Sequence, residues 1–172
     1  MISVTDPSNL MMLILYCIII GIPLTILAFG IYYTLQKIPS LAVRSLVPLV
    51  AGALAAVWYT SMDPSNPGKF GLLMFIIGAF IHPLLVLPPI IVAQNSLHRI
   101  PVPYAVFLSI FLSLVCIMGW GMIQGDMKYT NQGEFLWQTM SAIIMDLLIA
   151  SVVSLLIISA DKHYPGSESK SV

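Results

Sequence analysis

The stretch LWQTMSAIIMDLLIASVVSLLII, residues 136–158, decides how this chain is read. About 20 apolar residues in a helix cross a hydrocarbon core roughly 30 Å thick, and this run is long enough. At its centre stands Asp146. A carboxylate at that depth costs on the order of 3 kcal/mol to insert, so pairing, protonation or use must offset it. On a helix, the residues that share the aspartate's face at three- and four-residue steps are Thr139, Ala142, Ala150 and Ser154. This small, partly polar stripe lets another backbone come close and turns Asp146 inward, away from lipid.

Outward from this run the pattern repeats. Leu10 to Leu35, Leu41 to about Tyr59, Phe70 to Ala93 and Tyr104 to Ile123 are further apolar runs, and turn and cap residues separate them. With 59% hydrophobic residues, 8% charged and a mean hydropathy of +0.98, the chain lies far from the roughly 25% charged residues of a soluble domain. The expected fold is an all-α integral membrane protein: a five-helix transmembrane bundle forming a single domain over residues 1–172. The leader MISVTDPSN carries Asp6 and no Lys or Arg, so the first run reads as a spanning helix and not as a secretory signal.

Orientation follows from the cations, which stay preferentially on the cytoplasmic side. With the N-terminus outside, Lys37, Arg44, Arg99, Lys162 and Lys170 fall inside and only Lys69 and Lys128 outside, which favours N-out and C-in. Trp58, Trp120 and Trp137 then mark the outer boundary, and Tyr32, Tyr33 and Tyr104 the inner one. The second run is short unless Arg44 snorkels from its end.

Asp6-Pro7-Ser8-Asn9 recurs as Asp63-Pro64-Ser65-Asn66, and at the same offset Ile19-Ile20-Gly21 meets Ile76-Ile77-Gly78. Further on, Leu35-Gln36-Lys37-Ile38-Pro39 parallels Leu97-His98-Arg99-Ile100-Pro101. These matches suggest a duplicated two-helix hairpin: unit A over about 6–62, unit B over about 63–125, then a fifth helix at about 135–159 and a cytoplasmic tail at 160–172. Two-helix units keep their orientation on duplication. The repeat is therefore parallel, unlike the inverted repeats of many alternating-access transporters.

The third run carries His82-Pro83 near its centre and Pro88-Pro89 further along. Each proline removes an amide donor and crowds the preceding turn, so this helix is expected to be bent or broken. His82 and Asp146 are each central in their runs, which puts them at similar depth in straight helices. Three uses of Asp146 are open: a structural hydrogen bond to His82, Tyr16 or a freed carbonyl; a proton or cation site; or a polar anchor to another subunit's helix. The candidate intramembrane site is thus Asp146 with His82, supported by Thr139, Ser154, Pro83, Pro88 and Pro89.

No cofactor or metal is expected. His98 and His163 lie in polar segments, which leaves His82 without a second intramembrane histidine, and Cys17 and Cys116 sit inside apolar runs as reduced packing residues. GxSxG, HExxH, CxxC and phosphate-loop patterns are all missing, which argues against an enzyme. Zero net charge with no basic cluster gives no reason to expect nucleic acid. The expected role is a non-enzymatic accessory or structural subunit, or an immunity-type interaction component, of a complex in the plasma or inner membrane. Its partners would be the lipid bilayer and other membrane subunits or further copies of itself. The alternative is a small proton- or cation-translocating protein that uses the Asp146/His82 pair.

Overall fold

The computed structural model describes residues 7–61, 67–97, 100–124 and 132–163. Its elements are α1 (Pro7–Leu35), α2 (Leu41–Ser61), α3 (Pro67–Leu97), α4 (Val102–Gln124) and α5 (Gln132–His163). No strand occurs among the described residues. All five helices are long and apolar enough to cross a membrane, so the chain is an integral membrane protein. The helices outrun the apolar runs that seeded them. α5 continues through Gln132, Gly133 and Glu134, where an acidic first turn favours a helix N-terminus. At 1.5 Å per residue its 32 residues measure about 48 Å, well over the hydrocarbon thickness.

α3 is the hub: it packs against α1, α2, α4 and α5. Leu85, Val86, Leu87, Ile90 and Ile91 on it are essentially without exposure. The break suggested by Pro83, Pro88 and Pro89 does not occur, and α3 runs as one α-helix through all three. Proline removes the bonds that would end at the carbonyls of Ala79, Leu84 and Leu85, but the flanking turns keep theirs. Packing on four sides holds the rod together where local propensity would end it.

α2 reaches α3 through small residues. Its buried positions are Pro48, Gly52 and Ala56, one turn apart. Gly52 makes the close approach possible: a Cβ there would sit 2.9 Å from Leu85 Cδ2, 3.1 Å from Leu85 Cγ and 3.3 Å from Leu84 Cβ. In membranes, where apolar side chains gain little by leaving lipid, such backbone proximity supplies the packing contacts that hold helices together. α1 instead lies along α4 and, less extensively, α3. Leu13, Cys17, Leu24 and Ala28 enter the main core there, and the Cys17 thiol lies 4.0 Å from the Met118 sulfur.

One end of the bundle is tied by polar contacts. Tyr32, a residue expected to mark the lipid boundary, is buried and donates its hydroxyl to Gln94 Oε1, which joins α1 to α3. Arg44 folds back over the start of α2, with Nη1 donating to Gln36 Oε1 at 2.9 Å and Nη2 lying 3.4 Å from the Pro39 carbonyl. That is the snorkelling its position requires, and it lets α2 keep its first turn. Trp58, Trp120, Trp137, Tyr33 and Tyr104 are all exposed, as rings that anchor at an interface must be.

Candidate functional site

Asp146 is positioned by the face of α5 it shares with small side chains. Thr139, Ala150, Val153 and Ser154 are buried on the same side, and Asp146 itself is 0% exposed. Ile144, Met145 and Leu148 take the opposite, lipid-facing side. α3 supplies the partner. His82 Nδ1 stands 3.0 Å from Asp146 Oδ1 and 2.9 Å from Oδ2, in the fork of the carboxylate. The two residues that the sequence puts at similar depth are therefore in direct contact, with Pro83 fully buried beside them.

The geometry allows a small set of proton arrangements. An Nδ1–H, on a neutral ring or an imidazolium, donates to the carboxylate. A protonated carboxyl instead donates to a bare Nδ1. The pair therefore holds one proton, as a neutral ring beside a carboxylate, or two, as an imidazolium beside a carboxylate or an Nε2–H ring beside a carboxyl; passing from the one-proton to a two-proton state removes the negative charge at the centre of the bundle. Access is unequal. The His82 side chain keeps 13% of its surface while Asp146 keeps none.

The other expected contributors do less. Thr139 Oγ1 donates to the Phe135 carbonyl at 3.0 Å and Ser154 Oγ to the Ala150 carbonyl at 2.8 Å. Both hydroxyls are thus spent on their own helix; their contribution to Asp146 is small size and close packing. Pro88 and Pro89 lie beyond the pair, flanked in sequence by the buried Leu87 and Ile90. Tyr16 faces outward from α1, half exposed, and takes no part. An anchor to another subunit through Asp146 would need the carboxylate at the lipid surface, where it is not.

No cluster of three or more His, Cys, Asp or Glu suited to a metal occurs among the described residues. Cys17 is buried in the α1/α4 packing, and Cys116 is exposed on the outside of α4. Asp63, Asp126, His98 and the tail lie outside the described residues. Ser109 and Ser113 of α4, both buried polar residues, carry no expectation from sequence, although two serines four apart in an apolar run are a visible signal. Comparison with family models, curated proteins and solved structures finds no match for this chain, so its function is argued from the buried pair alone.

Proposed function

We propose that this chain is a non-enzymatic membrane protein in which the His82–Asp146 pair is a proton-handling site serving the passage of protons or a monovalent cation. One observation carries the reading: a carboxylate without exposure, in the middle of a spanning helix, meets a histidine that retains a surface. Intramembrane ionisable pairs facing the bundle interior recur in proton relays and ion pathways. Purified protein in liposomes should move protons or charge down an imposed gradient. Asp146→Asn and His82→Gln should each lower that flux by about tenfold or more, the scale of losing one proton-transfer group, with unchanged elution in detergent. Wild-type flux in both variants, or none in the parent, would remove the reading.

A second reading, as a subunit of a membrane complex, is favoured by the thin packing of α2, of whose spanning residues only 17% are buried. Val43, Leu46, Val50, Leu54 and Val57 face outward there. Its test is the protein content of the gently solubilised species. Stoichiometric foreign subunits would support an accessory role, and a homogeneous monomer or homo-oligomer would oppose it.

For architecture we infer a parallel duplication. Exchanging α1 with α3 and α2 with α4 turns the α1/α4 packing into the α3/α2 packing, and these are the most extensive contacts among the first four helices. The same exchange leaves the α3/α4 contact without an equal between α1 and α2, which marks where the units have diverged. For orientation we keep N-out and C-in. A single cysteine introduced at Lys37 should react with a membrane-impermeant maleimide only after permeabilisation of cells; labelling of intact cells would invert the topology.

A further inference from the structure

Two hydroxyls in the middle of α4 break a rule that the other helical hydroxyls keep. Every other serine or threonine side chain described within a helix, from Thr25 to Ser159, donates to a carbonyl three or four residues back. Ser109 and Ser113 do not. Both are 0% exposed, and neither Oγ meets a protein partner. Leaving a buried hydroxyl unbonded costs about 1–3 kcal/mol, so two of them on one face of one helix call for a ligand.

Asp146 presents the converse. An ionised carboxylate has about four lone-pair sites, and the donor this one meets is a single ring nitrogen, Nδ1 of His82. Donors lacking acceptors thus stand on α4, and an acceptor short of donors stands on α5, which packs against it.

Their levels are close. Cys17 and Gly21 of α1 face Met118 and Leu114 of α4, and Tyr32 of α1 bonds to Gln94 of α3. Counting residues from these contacts, Ile20 stands level with His82 on α3 and with about Val115 on α4, which runs the opposite way. Ser113 is therefore within about 3 Å of the level of His82 along the bundle and Ser109 about 6 Å further on, toward Val86. α5, which carries Asp146, packs against both α3 and α4.

We propose that Ser109 and Ser113 bind an internal water between α4 and α5, and that this water donates to the Asp146 carboxylate. A buried water typically makes about three hydrogen bonds, and two hydroxyls with one carboxylate oxygen supply three. The pair then becomes part of a longer hydrogen-bonded chain, His82–Asp146–water–Ser109/Ser113. The role of that chain as a proton conduit rests on the proton-handling reading; the water site itself does not.

Solid-state NMR of the full-length protein in lipid bilayers tests the site directly, by magnetisation transfer from water protons to carbon-13. At short mixing times, transfer is expected at Ser109 Cβ, Ser113 Cβ and the Asp146 carboxyl carbon. In Ser109→Ala/Ser113→Ala the Asp146 signal should fall several-fold, and in Ser113→Ala alone it should fall partway. Absence of transfer to the serines in the parent protein would overturn the proposal without recourse to any variant. An Asp146 signal unchanged in the double variant would also overturn it, by showing that the carboxyl's own exchangeable proton is the source. The two ideas fail separately: liposomes without flux but with serine and carboxyl transfer would retire the transport reading and keep the water site.

Discussion

Replacing His82 with leucine is expected to destabilise the bundle by about 3–5 kcal/mol, the range for removing one partner of a buried pair. The loss comes less from the missing contact than from what stays behind. Asp146, with no exposed surface, loses the donor in the fork of its carboxylate. Removing both partners should hurt less than removing one. His82→Leu/Asp146→Leu fills the same space with apolar groups and is expected to recover most of the loss, because neither half of a charged pair is then stranded. Thermal unfolding of the four proteins in mild detergent gives the double-mutant cycle. If the double variant loses the sum of the two single effects, the pair is not coupled and the contact is incidental. Asp146→Asn separates stability from proton handling. An amide still bonds to the ring but cannot take up a proton in this range, so it should keep the fold while losing the flux.

The second large effect is at Gly52, where Gly52→Val should destabilise the α2/α3 contact by at least the 1–3 kcal/mol usual for overpacking. Its Cβ alone would lie 2.9 Å from Leu85 Cδ2, and Leu85 has no exposed surface into which to retreat. The near neighbour Leu84 Cβ, at 3.3 Å, is fixed to the backbone of the hub helix and cannot turn aside. Added bulk therefore moves α2 as a whole. Gly30→Ala is the control: a Cβ there meets nothing within 4 Å, and the melting temperature should hold or rise slightly as a helix-interior glycine is replaced. Equal stability of Gly52→Val and the parent protein would mean that α2 rests on α3 more loosely than the interatomic distances require.

Much of this architecture is legible in the sequence because lipid simplifies the problem. Backbone groups in hydrocarbon must bond within the segment, so length and apolarity suffice to find all five helices. Asp146 is legible too, since a charge in such a run must face inward and its neighbours at helical steps are small. Rotation and pairing are not legible. Nothing in Tyr32 announces that its hydroxyl turns to Gln94, and nothing in the first hairpin announces that α1 will choose α4. Those outcomes depend on side chains far apart in sequence, which no local period encodes. The prolines of α3 mislead for the opposite reason: their local cost is real, but packing on four sides outweighs it. Gly52 and the serine pair were within reach, because small residues at four-residue steps can be read from any apolar run, but their meaning appears only once the facing helix is known.

The pairing of α1 with α4 and of α2 with α3 also bears on how the chain is made. At roughly 5–20 residues per second, synthesis delivers the second hairpin seconds after the first. During that interval α1 and α2 are in the bilayer without the helices they will pack against. The first hairpin therefore lacks its main packing partners until the second arrives, and a chain ending near residue 62 is expected to be cleared by membrane proteases. A chain beginning near residue 63 retains α3, α4 and α5, and with them both members of the buried pair. Loss of the first two helices thus leaves whole the segment that carries the site, whereas loss of the last three leaves a hairpin without its main packing partners.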